Sequence, residues 1–208
     1  DQLAATMEQF KDVIEHNTLK AILDYQSIPF RQENIYKEDT AVIFYTSGTT
    51  GRPKGVCLSA DNVRAIAEIW AESLETSSQD RTHIVTPLFH CAASHCFSIP
   101  TIVNGGTVII EEAFIPEQTL KTMEREKVTI FFGVPAIYST LLNSRQMKET
   151  DLSHLRLFTY GAAPMPYELV KRLKTNYPTV KVQNLYGQTE NSPGATTLKD
   201  HYALEKIG

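Results

Sequence analysis

Residues 45–55 form a stretch dense in glycine and hydroxyl side chains, which is the composition of a loop that holds polyphosphate. Glycines let a backbone turn tightly and bring its N–H groups close to an anion. The hydroxyl groups can each donate to a phosphate oxygen, and Lys54 adds a positive charge. The loop differs from the usual P-loop, which needs a glycine at Pro53, and the alternative is a surface loop rich in hydroxyls by chance. We predict phosphate contacts from Thr46, Ser47, Gly48, Thr49, Thr50, Gly51 and Lys54.

A second group of chemically active side chains lies in residues 87–96, where two histidines and two cysteines fall within seven positions. A zinc site is one interpretation, but zinc ligands usually come as separated pairs. Here each cysteine adjoins a histidine, and adjacent side chains of a strand or helix point apart. We therefore favour packing roles on the following helix for Cys91, His95 and Cys96. The segment has no acidic residue.

The hydrophobic pattern indicates the elements that position these groups. It predicts strands at 41–46, 56–58, 107–110, 128–132, 155–160 and 180–186. It predicts helices at 2–16, 116–126, 135–143 and 166–176, and another that is capped by Ser59. Such alternation is typical of right-handed βαβ crossovers. The predicted fold class is therefore α/β, a parallel βαβ sheet with helices on both faces.

Ligands of parallel sheets bind beyond the carboxyl ends of the strands. This rule points to four segments, at 46–55, 86–90, 161–164 and 187–190. We expect these segments to meet at one site.

The composition is that of a folded domain and excludes several functions. The 208 residues are 42% hydrophobic and 21% charged, which argues against disorder. A net charge of −4 disfavours nucleic-acid binding, and no apolar run is long enough for a membrane span. With three cysteines and no visible signal peptide, we predict a reduced, cytoplasmic protein. The chain starts and stops within its pattern, so we expect an excised fragment.

Residues 45–55 as a whole resemble the signature loop of the AMP-forming adenylate superfamily, which includes acyl-CoA synthetases, luciferases and the adenylation domains of peptide synthetases. Residues 160–164 and 184–190 resemble two further motifs of that family, in the same order. The resemblance implies part of a layered, acyl-CoA synthetase-like N-terminal domain. The predicted organisation is a helix and connector over 1–40, an AMP-binding core over 41–195 and a truncated continuation over 196–208.

The resemblance implies a nucleotide site with adenine, phosphate and metal contacts. Tyr186 would stack on adenine, and the alternative is a core tyrosine with a satisfied hydroxyl. The adenine site would comprise Gly161, Ala162, Ala163, Pro164, Asn184, Tyr186 and Gly187. Thr189 would contact the α-phosphate and Glu190 would hold Mg²⁺, whereas the alternative for Glu190 is a solvated surface carboxylate. The predicted catalytic residues are Lys54, Thr189 and Glu190.

The resemblance also implies an acyl pocket formed by Phe89, His90 and Gly187. His90 would orient the carboxylate substrate, and a structural histidine at a strand end is the alternative. The carboxylate would attack the α-phosphorus of ATP, and coenzyme A would then capture the acyl adenylate. We expect a fatty acid, or alternatively an aryl acid, as the substrate, with ATP, Mg²⁺ and coenzyme A as cofactors.

Two groups that the family uses have no counterpart in this sequence. They are the aspartate that holds the ribose hydroxyls and the lysine of the C-terminal domain. We therefore expect residues 1–208 alone to be inactive, and a nucleotide-binding module without turnover is the alternative function. The oligomeric state stays open.

Overall fold

The computed structural model of the chain describes residues 34–47 and 51–207. The predicted helix at 2–16 lies outside the described residues, as do the loop residues Gly48, Thr49 and Thr50. Residues from Tyr36 onward belong to one compact unit. Within the described part of the chain, no helix is long and apolar enough to cross a membrane.

The loop rich in glycine and hydroxyl groups joins two antiparallel strands, β1 (Thr40–Thr46) and β2 (Lys54–Ser59). These strands form a two-stranded sheet of their own, in which Thr46 pairs with Lys54. The prediction that this loop follows a strand of the parallel sheet is therefore wrong. The physical reason is the length of the connection, because a parallel crossover needs about a dozen residues or more and only residues 47–53 separate the two strands.

The other strands form a six-stranded sheet in the order β4-β3-β5-β6-β7-β8. Its members are β3 (Arg81–Ile84), β4 (Thr107–Ile110), β5 (Ile130–Gly133), β6 (Leu157–Gly161), β7 (Lys181–Tyr186) and β8 (Thr196–Leu198). All neighbours are parallel except β8, which pairs antiparallel with β7. The predicted α/β class is confirmed, and the antiparallel edge strand is an addition to it.

Helix α1 (Ala60–Leu74) begins at the predicted cap. The Ser59 hydroxyl accepts a hydrogen bond from the Asn62 N–H at 3.1 Å, and the Asn62 side chain accepts one from the Ser59 N–H. This reciprocal arrangement satisfies two N–H groups at the start of the helix. The remaining helices are a π-helix (Ala92–Ser98), α2 (Ile99–Val103), α3 (Pro116–Arg125), α4 (Pro135–Asn143), α5 (Gln146–Glu149) and α6 (Tyr167–Asn176).

The helices cover both faces of the six-stranded sheet, as predicted. Alternate residues of a strand point to opposite faces, so Phe131 packs in one apolar cluster while Phe132 packs in the other. Residues of α3, α4 and α6 fill the first cluster, and residues of α1 and the π-helix fill the second. The second cluster lies beneath the site described below.

A partly buried ion pair holds the amino edge of the sheet. Asp80 is 2% exposed and accepts hydrogen bonds from the Arg156 guanidinium at 2.8 and 2.9 Å and from the Thr129 hydroxyl at 2.7 Å. Burial alone would raise the pKa of Asp80, but these hydrogen bonds outweigh it and hold the pKa below its ordinary value of 3.8. Arg156 also donates to the carbonyls of Leu74 and Glu75, which ties the end of α1 to the sheet.

Candidate active site

A pocket of about 380 Å³ lies at the carboxyl ends of β5, β6 and β7. All four segments that the sequence predicted to meet contribute residues to its lining. The predicted site residues in this lining are Thr46, Ser47, His90, Gly161, Ala162, Tyr186, Gly187, Thr189 and Glu190. The antiparallel hairpin therefore brings Thr46 and Ser47 to the same site that a parallel strand would have reached.

A second pocket, of about 540 Å³, adjoins the first one. The two share lining residues, among them Ala162, Tyr186 and Gly187. The second pocket also brings in the remaining predicted adenine residues, which are Ala163, Pro164 and Asn184. Tyr186 is 62% exposed at this boundary, so the alternative of a core tyrosine is wrong.

The turn after β6 is shaped by its contact with β7. Gly161 pairs with Leu185, and a Cβ on Gly161 would lie 2.5 Å from the Leu185 carbonyl oxygen. The next residue, Ala162, has a φ of 65°, a left-handed conformation that is uncommon outside glycine. Asn184 fixes the same turn, because its side-chain amide donates to the Tyr160 carbonyl at 3.3 Å. The small residue at 161 is therefore required by the neighbouring strand.

The segment after β7 folds back on itself and presents Thr189 and Glu190 to the first pocket. A Cβ on Gly187 would lie 1.3 Å from the Pro193 carbonyl oxygen, so only glycine fits there. The short 3₁₀ turn Thr189–Asn191 is capped by Gln188, whose N–H donates to the Asn191 side chain at 3.1 Å. Glu190 is exposed, with its carboxylate free to meet a ligand from solvent.

His90 lies exposed at the mouth of the first pocket. Its Nδ1 accepts a hydrogen bond from the Ala92 N–H at 3.2 Å, so the neutral ring carries its proton on Nε2. The next residue, Cys91, is buried and shares a 3.3 Å hydrogen bond with the Thr189 hydroxyl. Burial raises the pKa of the Cys91 thiol, which keeps it protonated. The 90–91 segment and the Thr189 segment are thus in direct contact.

Several predicted residues are not brought into the two pockets. Phe89 is 83% exposed and does not line either of them. Lys54 and Gly51 are exposed on the hairpin and are also absent from both linings, although Lys54 stands opposite Thr46. The roles of these residues stay predictions, together with those of the loop residues outside the described part of the chain.

The inner end of the first pocket consists of buried apolar residues that the sequence did not assign to a site. They are Trp70, Cys96, Phe97, Phe132, Leu185 and Pro193. The Phe97 and Phe132 rings stack with centroids 4.5 Å apart. The predicted packing roles of Cys91, His95 and Cys96 are confirmed, since all three are buried, and the two cysteines also line the pocket. The only sequence signal for Trp70 was its position on the buried stripe of α1, which indicates burial but not a place at the pocket.

The acidic donor at the pocket suits a hard cation that also binds phosphate. Glu190 supplies one carboxylate, and Mg²⁺ is usually held by one or two carboxylates together with substrate phosphates. Among residues 34–47 and 51–207, no group of three or more histidine, cysteine, aspartate or glutamate side chains could hold a metal ion by itself. The residues present therefore fit a cation that arrives with a nucleotide.

The family model described as "AMP-binding enzyme" matches residues 3–208. The chain belongs to the AMP-binding enzyme family, and the resemblance found in its motifs is confirmed. Among curated relatives, it is 38% identical to a feruloyl-CoA synthase of Amycolatopsis over 82% of this chain and 34% of the relative. It is 34% identical to the long-chain-fatty-acid–CoA ligase FadD13 of Mycobacterium tuberculosis, over 82% of this chain and 33% of the relative. The chain thus spans about a third of the length of these relatives.

The fold is similar to those of solved N-terminal domains. The N-terminal domain of FACL13 from Mycobacterium tuberculosis matches with a TM-score of 0.83 and 31% identity, over 91% of this chain and 47% of that one. The o-succinylbenzoate coenzyme A synthetase MenE of Bacillus subtilis, solved in complex with ATP and magnesium ion, matches with a TM-score of 0.79 and 26% identity. That match covers 97% of this chain and 42% of MenE. The predicted acyl-CoA synthetase-like domain is therefore confirmed as the fold.

Proposed function

We propose that this chain carries the ATP- and carboxylate-binding part of an AMP-forming acid–CoA ligase. The proposal rests on the contrast between the polar mouth and the apolar inner end of the first pocket. Its mouth holds Ser47, His90 and the exposed Glu190, whereas its inner end is buried and apolar. Such a pocket suits a reaction that joins a phosphate group to an acyl group.

ATP would bind across both pockets. The exposed ring of Tyr186, at the boundary between them, offers a face on which adenine can stack. The phosphates would then reach the mouth of the first pocket, near Ser47 and Thr189. Lys54 and the adjoining hydroxyl loop would contact the pyrophosphate, and Glu190 would hold Mg²⁺. When bound there, the cation would supply neutralising charge to the phosphate oxygens.

The carboxylic acid would enter with its carboxylate at the mouth and its acyl group in the apolar end. His90 carries its proton on Nε2 and can donate to a carboxylate oxygen. A carboxylate oxygen forms a bond to the α-phosphorus while the bond to pyrophosphate breaks. The thiolate of coenzyme A then attacks the acyl carbonyl carbon, and AMP leaves. Catalysis rests mainly on positioning and charge stabilisation.

For the acid itself, we propose a fatty acid first and an aryl acid as the alternative. The names of the two relatives, a feruloyl-CoA synthase and a long-chain-fatty-acid–CoA ligase, include both classes. The inner lining of the pocket has no acidic side chain, so an amino acid would leave its ammonium unpaired there. We also propose that the protein is cytoplasmic, that residues 41–195 form its AMP-binding core, and that residues 1–208 alone give no acyl-CoA.

The test is ATP–pyrophosphate exchange by the protein at its full natural length, with a panel of fatty, aryl and amino acids. We expect Mg²⁺-dependent exchange with fatty or aryl acids and none with amino acids. His90→Ala should raise the KM for the acid and leave the KM for ATP unchanged. His154→Ala, which changes an exposed histidine before β6, is the matched control. No exchange with any acid would refute the proposal, and preferential exchange with an amino acid would refute the substrate assignment.

A further inference from the structure

Trp70 stands between the first pocket and a third cavity on the outer side of α1. This cavity, of about 410 Å³, is a groove between α1 and β8, and Trp70 lines both spaces. Pro193 lines the pocket and Gly194 lines the groove. The indole and the Pro193–Gly194 backbone therefore form the wall between them. Ile69 lines the groove but not the pocket, and it is 56% exposed, so the groove reaches the surface.

The wall is closely packed at a single glycine. A Cβ on Gly194 would lie 2.5 Å from the Ile66 side chain and 3.1 Å from two atoms of the Trp70 ring. Trp70 itself is 1% exposed, so the indole fills the space that the glycine leaves. A smaller side chain at position 70 would connect the pocket to the groove.

Within the described part of the chain, the Trp70 indole also lacks a hydrogen-bond partner. Its N–H is buried and has no acceptor among the described residues. A buried donor without a partner is costly, but the N–H is out of reach of a water-sized group in either space, so the indole acts here as a steric wall. Neighbouring Phe97 and Phe132 make the rest of the inner end flat and aromatic.

We propose that Trp70 is the specificity-determining residue that ends the acyl pocket and restricts the enzyme to compact carboxylic acids. This inference rests on the proposed function. The preferred substrates are acids with one aromatic ring or a short to medium chain. Long-chain acids are excluded because the wall leaves their distal carbons no room. The groove beyond the wall is the space that a longer chain would enter if the indole were removed.

The experiment measures kcat/KM for ATP–pyrophosphate exchange with saturated acids from acetate to palmitate, using the protein at its full natural length. Wild type should lose activity sharply beyond medium chains. Trp70→Leu should move the optimum to longer chains and raise the ratio of long- to medium-chain kcat/KM by about tenfold or more. Trp70→Phe keeps a ring in the wall and should keep the wild-type profile. Ile69→Ala, which changes the groove only, is the control and should leave the profile unchanged.

The outcomes separate this inference from the proposed function. If wild type shows no exchange with any acid, the proposed function fails and the inference fails with it. If wild type exchanges equally well with octanoate and palmitate, the inference alone is overturned, whether or not the variants fold. A Trp70→Leu protein that melts as a folded domain and keeps the wild-type chain-length profile would also overturn it.

Discussion

Gly187→Ala is expected to abolish most activity while leaving the protein folded. The added Cβ would lie 1.3 Å from the Pro193 carbonyl oxygen, and real Cβ contacts stay above 3.0 Å. The folded-back segment must therefore move by more than 1 Å, and it carries Thr189 and Glu190. A misplacement of about 1 Å at a reacting centre can cost on the order of a hundredfold in rate. That factor corresponds to about 2.7 kcal/mol of transition-state free energy.

The assay for this variant is carboxylate-dependent ATP–pyrophosphate exchange, with thermal melting measured in parallel. Gly106→Ala is the matched control, because its Cβ would lie 2.9 Å from the Asp80 carbonyl oxygen, at the amino edge of the sheet. The Gly106→Ala clash should destabilise the fold by about 1–3 kcal/mol, and the closer approach at Gly187 should destabilise it by more. Only Gly187→Ala should lose exchange in protein that is still folded. Equal losses in the two variants, or a Gly187→Ala protein with more than half of the wild-type rate, would refute the reasoning.

Three further predictions concern the fold and the phosphate site. Asp80→Ala removes the carboxylate that accepts from the partly exposed Arg156 guanidinium, which keeps its hydrogen bonds to two carbonyls. It should lower the free energy of unfolding, measured by urea denaturation, by about 1–3 kcal/mol. Because the pKa of Asp80 is lower in the folded protein, its contribution to stability is present above pH 4 and should be lost as the pH falls through that lowered pKa. An Asp80→Ala variant with the same acid unfolding transition as wild type would contradict this. Glu190→Gln should reduce exchange and raise the Mg²⁺ concentration needed for half-maximal rate. An unchanged Mg²⁺ titration would indicate instead that Glu190 is a solvated surface carboxylate. Lys54→Ala should cost about 2–4 kcal/mol in the transition state, whereas Lys148→Ala, on the remote helix α5, should cost nothing.

The sequence predicted elements best where a local signal marks their ends. Helix α4 begins at Pro135 and β4 spans Thr107–Ile110 as predicted, because proline and turn residues delimit them. Helix α1 starts after Ser59 for the same reason. The partner of a strand has no such local signal. The hydrophobic pattern therefore does not predict that β1 and β2 pair with each other, or that the short strand β8 pairs antiparallel at the edge of the sheet.

Some site residues could be predicted from motifs, whereas others depend on how the chain packs. Thr46 and Ser47 were predicted from the glycine- and hydroxyl-rich composition of their loop, and Tyr186 and Thr189 from the resemblance of residues 184–190 to a motif of the family. Trp70 could not be predicted as a site residue, since its spacing on α1 indicates only a buried face. Its place at the pocket depends on how the segment around Gly194 packs against that helix, and this contact between residues distant in the chain is set by the tertiary fold.

The attack of a carboxylate on the α-phosphorus of ATP can be tested directly by isotope transfer. A single turnover is run with the protein at its full natural length, ATP, Mg²⁺, coenzyme A and an acid whose carboxylate carries the heavy oxygen isotope. The proposed reaction leaves one labelled oxygen in AMP and none in pyrophosphate, because the acyl–oxygen bond breaks when coenzyme A captures the adenylate. Label in inorganic phosphate with formation of ADP, or AMP without label, would contradict the proposed function.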